Sequence, residues 1–327
     1  QLLFLCRHLK LSVPPIGCCR LCLHILFFKL PTTPTVLRKT NRMTPFRAAC
    51  YPLLAALVLL TNMVALAAPT GEAKADASQE TIDKKAKAVI DRFSEFFTEL
   101  KGFKTELNIE LKMDLGGNKQ ELKVEDRIAA QRPNLFSLEA DSSTGGGAVV
   151  KADGKDLWIL LGAFNKYFAS EAPEQLSDLT SMQTVMGVAA MGNSGKITLA
   201  MLSEDPAEAL MLGVKSLSYV GEEEVDGVTC DHLAGSEESM DWELWIEQGD
   251  QPVVRKFVPD LTKTFKMMFE RMPKEQLEQL KGWKAENIAR YTNWEINPEF
   301  AADTFAFTAP EDATEVDSFN DMLGQGS

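Results

Sequence analysis

Cys230 and His232 have the residue types and the spacing of a catalytic pair. One residue separates them, so on a β-strand both side chains lie on the same face, where an imidazole can activate a thiol. A metal site needs three or four such ligands, and beyond residue 67 the sequence contains no other cysteine or histidine. We therefore expect no metal, no cofactor and no catalytic residue. An enzyme that uses this pair is the weakest of three functional hypotheses.

Other patterns that could support chemistry are better explained as turns. The acidic runs at residues 222–224 and 237–238 lie beside turn glycines, which places them at solvated hairpin tips. The three glycines at 145–147 lack the Lys-Ser or Lys-Thr that a phosphate-binding loop requires. None of these patterns predicts an active site.

The amino-terminal part of the chain has the pattern of an export signal. We interpret residues 1–42, which hold four of the six cysteines, as a mistranslated upstream extension and Met43 as the start. Residues 43–67 have the features of a signal peptide, with a small-x-small cleavage site at Ala65–Ala67. Their apolar run is shorter than the ~20 residues of a membrane span. We expect a periplasmic protein without a stable membrane anchor, which begins with a flexible segment at 68–80.

The charge of the exported part limits its partners. All 47 acidic residues but only 26 of the 34 basic residues follow residue 67, so this part has a formal charge of −21. Such a charge repels phosphate backbones and anionic lipid surfaces. We therefore expect no nucleic-acid partner and no direct adsorption to an anionic membrane. With one cysteine, this part has no internal disulfide framework, and its stability must come from an apolar core.

The exported sequence alternates between strands and a few helices. Apolar residues recur at helical spacing from Thr81 to Leu100, and then at every second residue from Phe103 to Leu115. Short strands separated by Gly-, Asp- and Asn-rich turns follow, which favours an antiparallel sheet in one α+β domain over residues 81–327. Further helices are predicted at residues 173–190, 206–212 and 261–284, and a last pair of strands at 286–296 and 304–307.

Methionine is concentrated on the predicted helices rather than on the strands. Met182 and Met186 lie on the helix at 173–190, and Met268 lies on the helix at 261–284. Methionine is flexible and polarizable, so it packs around irregular apolar shapes, in ligand cavities and in ordinary cores alike. An alkyl chain buried under such helices gains ~0.8 kcal/mol per methylene, or ~8 kcal/mol for ten methylenes before the costs of association. The methionine pattern is therefore compatible with a ligand cavity and with an ordinary core.

Several motifs, in this order and spacing, resemble the LolA-like family of periplasmic lipoprotein carriers. Arg132-Pro133-Asn134-x-Phe136 is similar to a strand opening of that family, and Asp153-Gly154-Lys155-x-Leu157-Trp158 is similar to one of its hairpins. Asn297-Pro298 and Phe305-x-Phe307-x-x-Pro310 are similar to its closing signature. The segment from Val225 to Lys256 resembles predicted periplasmic proteins of unknown function that share the fold.

The resemblance implies an incomplete antiparallel β-barrel, a curved sheet of about ten strands whose concave face is covered by helices. Residues 261–284 would be an added helical segment. In the family, a hydrophobic cavity under the helices binds acyl chains, and the arginine of the first motif, here Arg132, holds the helices closed. The alternative role for Arg132 is a surface residue that caps a strand. The residues expected to line the cavity are Phe136, Trp158, Phe168, Met182, Met186, Trp245, Met268 and Trp294.

These observations lead to two main functional hypotheses. The first is an exported, non-enzymatic protein that holds a lipid, or the acyl chain of a lipoprotein, in an apolar cavity. The second is an envelope sensor or scaffold that binds a protein partner through the same half-barrel. Copurification with lipid separates them, because only the first requires a bound acyl chain.

Overall fold

The computed structural model describes residues 81–115, 117–179, 195–270 and 282–322. Within these ranges the strands are β1 (Thr81–Ile82), β2 (Gly102–Leu115), β3 (Asn118–Gln131), β4 (Leu135–Ser142), β5 (Ala148–Asp153), β6 (Asp156–Leu161), β7 (Lys166–Glu171), β8 (Val214–Val225), β9 (Val228–Glu237), β10 (Asp241–Glu247), β11 (Val254–Asp260), β12 (Lys284–Ile296) and β13 (Thr314–Val316). The helices are α1 (Lys84–Glu99), α2 (Leu176–Leu179), α3 (Gly195–Leu202), α4 (Pro206–Met211), α5 (Thr262–Phe269) and α6 (Phe319–Met322).

All of these strands belong to one sheet, in the order β1-β8-β9-β10-β11-β12-β2-β3-β4-β5-β6-β7-β13. β1 and β13 are short and pair in parallel with β8 and β7. The strands between them pair antiparallel throughout. β1 and β13 stand at opposite ends of this order, so the sheet of the described residues is curved but unclosed. The predicted α+β incomplete barrel is confirmed, with thirteen strands in place of about ten.

The long hairpin of β2 and β3 forms the middle of the sheet. Its pairing runs without a break from Gly102 opposite Gln131 to Leu115 opposite Asn118. Successive side chains of a strand point to opposite faces, so Leu107 and the apolar residues in its register share one face, and the charged residues between them share the other. The alternation in the sequence predicted this strand correctly.

The main core lies between one face of the sheet and α1–α4. We call this face the inner face, the opposite one the outer face, and α1–α4 the helical cover. Asp83 caps α1, because its Oδ1 accepts hydrogen bonds from the N–H groups of Lys85 at 2.6 Å and Ala86 at 3.1 Å. The buried side of α1 consists of Ala86, Val89, Ile90, Phe93 and Phe97. The helices therefore cover the inner face, as expected.

Two predicted elements differ from the structure. Residues 304–307 were expected to form a strand, but Thr304 and Ala306 donate backbone hydrogen bonds to Ala301 and Asp303 in a turn. The alternation of Phe305 and Phe307 that resembled a strand arises because the turn buries the first ring and lays the second on the sheet. Of the helix predicted at 261–284, the structure contains α5 over Thr262–Phe269; residues 271–281 lie outside the described residues, and Lys284 already belongs to β12.

Candidate functional site

The turn between β3 and β4 holds the helical segment that follows β7. The carbonyl of Pro133 accepts a hydrogen bond from the N–H of Leu176 at 2.7 Å. The Nδ2 of Asn134 donates to the carbonyls of Pro173 at 2.9 Å and Gly154 at 3.1 Å. The Pro-Asn part of the motif therefore attaches the start of α2 to two neighbouring turns of the sheet.

Arg132, at the same turn, contacts two helices of the helical cover. Its Nη2 donates to the carbonyl of Phe97 in the last turn of α1 at 3.3 Å, and to the carbonyl of Ser203 directly after α3 at 3.4 Å. A cation is favourable at the carboxyl end of a helix, where carbonyls lack intrahelical partners. Burial lowers the pKa of Arg132, and the nearby Glu204 opposes this only in part. The guanidinium therefore connects the ends of two helices at the rim of the core.

A small void lies beside Arg132, between the sheet and the helical cover. Its volume is about 10 Å³, which is room for no more than one water molecule. An acyl chain fits there only if a helix moves. Besides Arg132, the residues that line the void are Phe97, Leu100, Gly102, Phe103, Ala130, Leu176 and Met201.

Three aromatic rings pack together next to this void. The ring centroids are 5.7 Å apart for Phe97 and Phe103, 5.9 Å for Phe97 and Trp294, and 5.8 Å for Phe103 and Trp294. The Nε1 of Trp294 donates to the carbonyl of Val254 at 3.1 Å. These contacts fix the carboxyl end of α1 on β2 and β12.

An ion pair holds the other end of α3 on the sheet. The Nζ of Lys196 lies 2.6 Å from Oε1 of Glu237, and both side chains are largely buried. The same Oε1 accepts a hydrogen bond from Nε1 of Trp242 at 2.8 Å. α3 is therefore attached by polar contacts near both ends and by apolar packing between them.

Two of the buried polar residues on the inner face have an unpartnered side-chain oxygen among the described residues, and the sequence reasoning missed both. Asp126 of β3 is 7% exposed and Asn287 of β12 is 2% exposed. In each, Oδ1 is buried and has no hydrogen-bond partner in the structure as described. The sequence did contain a sign of Asp126, because the alternation of β3 places this residue on the same face as the apolar Val124 and Ile128.

A family model of predicted periplasmic proteins, DUF2092, matches residues 86–266, which is more than half of the chain. The chain belongs to this family. The expected resemblance to predicted periplasmic proteins of unknown function is thereby confirmed, and so is the expected compartment. No curated protein matches the chain. Among the helices of the described ranges, none is both long and apolar enough to cross a membrane.

Solved structures are similar to this DUF2092 protein at low identity. An uncharacterized conserved protein from Thermus thermophilus is 14% identical, with a TM-score of 0.38 over 72% of this chain and 100% of that one. A LolA superfamily protein from Nitrosomonas europaea is 10% identical, with a TM-score of 0.30 over 68% and 97%. MucB in the Pseudomonas aeruginosa MucA/MucB complex is 13% identical, with a TM-score of 0.33 over 69% and 62%.

The residues expected to line a cavity fall into three groups in this DUF2092 protein. Phe136, Phe168 and Trp294 lie on the inner face, where they belong to or pack against the main core. Met182 and Met186 lie outside the described residues, as does the side chain of Met268. Trp158 and Trp245 lie on the outer face, because their neighbours Leu157 and Leu244 occupy the inner one.

On the outer face, Trp158 anchors the carboxyl-terminal part of the chain. Its ring stacks on Phe307 with centroids 5.7 Å apart and an interplanar angle of 17°. Nearby on the same face, the Nζ of Lys151 donates to the carbonyl of Thr304 at 2.8 Å. Trp158 of the hairpin motif and Phe307 of the closing motif therefore meet on the outer face, away from the helical cover.

Trp245 also lies on the outer face, together with the Cys230 and His232 pair. The His232 ring stacks on Trp245 at 4.1 Å, while its Nδ1 and Nε2 lie 3.3 Å and 3.1 Å from carboxylates of Glu223 and Glu243. The Cys230 thiol is fully buried, and burial, followed by the nearby acidic Glu247, raises its pKa to about 11. Both imidazole nitrogens therefore face carboxylates rather than the thiol, and the thiol stays protonated at neutral pH.

Metal-ligand geometry is also missing in the described ranges. No group of three or more His, Cys, Asp and Glu side chains there is arranged to hold a metal ion. His232 sits between two carboxylates, but they flank its ring on separate sides rather than converging on one point.

Proposed function

We propose that this periplasmic DUF2092 protein is a non-enzymatic binding protein that takes a lipid, or the acyl chain of a lipoprotein, between the inner face and the helical cover. The observation that carries the proposal is the void under Arg132, at the meeting point of α1, α2 and α3. Apolar and aromatic side chains surround it, and polar contacts hold the helices at its rim. Phe136, Phe168 and Trp294 would contact the chain. Met182, Met186 and Met268 remain proposed contacts.

The energies involved make such an opening feasible. The two hydrogen bonds from Arg132 are long, and each contributes about 1–3 kcal/mol at most to the closed state. An acyl chain that buries ten methylenes gains ~8 kcal/mol before the costs of association. An entering chain also replaces the apolar contacts that a displaced helix gives up. Arg132 is therefore proposed as the residue that gates the space.

The site has no arrangement that suggests catalysis. Cys230 and His232 lie on the outer face, and their reactive atoms are engaged elsewhere. On the inner face, the carboxylate of Asp231 is occupied by Arg92, Tyr219 and Gln248, and the carboxylate of Glu237 by Lys196 and Trp242. Binding without turnover is the activity that this geometry supports best.

Native mass spectrometry tests the proposal on protein purified from membranes, and again after incubation with phospholipid. We expect a bound lipid mass in at least one of the two samples. Arg132→Gln should increase lipid uptake, because it removes the charge that contacts both helix ends. Arg127→Gln is the matched control, since Arg127 pairs with Glu139 and Asp141 on the outer face. A protein that stays free of lipid in every sample would contradict the proposal.

A second candidate function, binding of an envelope protein, is favoured by the free edge of β8. β1 pairs with β8 only at Ser216 and Leu217, and no other described strand pairs along that edge. Val220 is 55% exposed there, and the acidic run 222–224 follows it. An extended basic segment of an envelope protein can add to such an edge as a further strand.

Fluorescence anisotropy with a labelled peptide of alternating lysine and valine tests this second function. We expect the peptide to bind, and Val220→Pro to abolish binding, because proline blocks pairing along an edge. A peptide with glutamate in place of lysine is the control. Equal binding of the two peptides, or full binding to the proline variant, would exclude the edge as the docking site.

A further inference from the structure

Asp126 is a buried carboxyl group among apolar neighbours on the inner face. In the sheet it lies directly between Leu107 of β2 and Ala140 of β4. Val124 and Ile128 precede and follow it on the same face. Leu107 and Ile128 are almost completely buried, so the carboxyl group sits in a low-dielectric environment.

One oxygen of this carboxyl group has no hydrogen-bond partner among the described residues. Its Oδ1 is buried without a hydrogen bond, and burial together with the charge of Asp141 raises its pKa to about 7. A buried polar group without a partner destabilises a fold, whereas leucine of similar size would pack there favourably. Native proteins leave few buried polar groups unsatisfied, and functional sites are among the places where such groups occur.

We propose that Asp126 receives the polar end of the ligand, which is an amine or a hydroxyl group at the head of an acyl or alkyl chain. This inference rests on the proposed binding function. The ligand head group donates a hydrogen bond to Oδ1 of Asp126. A carboxylate or phosphate head group is rejected, because it offers no donor and places a second negative charge beside the first.

The position of Asp126 relative to the void supports this assignment. Ala130, which lines the void, lies four residues further along β3 on the same face. Four residues of a strand span about 13 Å. A ligand with its head group at Asp126 therefore extends its chain along the inner face of β3 toward the void beside Arg132.

Asn287 supplies a matched comparison on the same face. Its Oδ1 is also buried and unpaired among the described residues, but the side chain is neutral. In the sheet, Asn287 pairs with Leu111, whereas Asp126 pairs with Leu107. The two side chains are therefore on opposite sides of β2 and about 16 Å apart, too far to hold one small head group together.

Three probes with the same chain length test the assignment by isothermal titration with the full chain: hexadecylamine, monopalmitoylglycerol and palmitate. We expect the wild type to bind the amine and the glyceride about tenfold or more tightly than palmitate. Asp126→Leu should bind all three with similar affinity. Asn287→Leu should keep the wild-type preference.

The possible outcomes distinguish failure of the role of Asp126 from failure of the proposed binding function. If the wild type binds none of the probes, the proposed lipid-binding function itself is wrong. Equal binding of the three by the wild type, or a preference that survives in Asp126→Leu, would overturn only the role of Asp126. If Asp126→Leu does not fold, Asp126→Asn serves instead, because it loses the charge that repels a carboxylate and should reduce the preference for the amine and the glyceride over palmitate.

Discussion

Arg92 of α1 forms an ion pair with Asp231 of β9, with 2.8 Å between Nη2 and Oδ2. Asp231 is 4% exposed and also accepts hydrogen bonds of 2.9 Å from Tyr219 and Gln248. Burial alone would raise the pKa of Asp231, but the bonds from Arg92, Gln248 and Tyr219 outweigh it and hold the pKa below its usual value. The helix and the sheet are therefore joined by a fully partnered carboxylate.

Arg92→Met should lower the free energy of unfolding by about 3 kcal/mol, because it leaves the buried charge of Asp231 without its cation. Urea denaturation at neutral pH measures the change. Lys87→Met is the control on the same helix, since Lys87 and Asp91 form an exposed pair whose loss changes stability by less than about 1 kcal/mol. Equal effects of the two substitutions would show that the Asp231 site is not a specific attachment point.

The raised pKa of Asp126, about 7, predicts an unusual pH dependence of stability. The unfolded carboxyl group has a pKa of about 3.9, so between about pH 4 and 7 the folded protein holds a proton that the unfolded chain has released. The free energy of unfolding therefore falls as pH rises through this window, by on the order of 4 kcal/mol in total. Below about pH 4 the stability is fully present, and above about pH 7 it no longer changes from this cause.

Urea denaturation of Asp126→Asn at several pH values isolates this contribution. The variant should lose the decline between pH 4 and 7 and be more stable than the wild type above pH 7. The carboxyl groups with lowered pKa values, Asp231, Asp241 and Glu139, act below about pH 4 and do not obscure the window. Parallel profiles for wild type and variant would refute the prediction.

Arg132→Met should loosen the helical cover without unfolding the sheet. It removes the hydrogen bonds to the carbonyls of Phe97 and Ser203, which lowers the free energy of local opening by about 1–3 kcal/mol. Hydrogen exchange at the end of α1 and across α3 should accelerate accordingly, while exchange in β2 and β3 stays unchanged. Arg127→Met, on the outer face, should alter neither. Acceleration spread evenly over the sheet would indicate global destabilisation instead.

Cys230 should not react with Ellman's reagent in the native protein at pH 7.5. Its side chain is fully buried, so the reagent does not reach the sulfur. Burial also raises its pKa to about 11, so the reactive thiolate is scarcely populated at this pH. In urea the thiol should react at the rate of a free cysteine. Cys230→Ala should leave lipid binding unchanged. Fast labelling of the folded protein would restore the thiol-enzyme hypothesis.

Local periodicity predicted the elements whose pattern is set by contact with one face of the core. The helix at α1 and the β2–β3 hairpin follow directly from apolar spacing, because a half-buried helix or strand must repeat with its own period. The resemblance to the LolA-like family implied a contact between Arg132 and the helices; the structure has hydrogen bonds from Arg132 to Phe97 and Ser203, and the gating role of Arg132 stays a prediction. The strand predicted at residues 304–307 was wrong because that prediction also rested on local alternation. A turn that buries one ring and stacks the other on the sheet produces the same alternation as a strand.

Sequence patterns alone predicted the family resemblance and the antiparallel sheet, and they show that Cys230 and His232 are the only cysteine and histidine beyond residue 67. The face that each side chain occupies is visible only in the folded sheet. Trp158 and Trp245 were expected on the inner face but lie on the outer one, and Asp126 lies on the inner face despite its charge. A strand period assigns residues to two alternating sets, but which set faces the helices depends on register and on packing between distant segments.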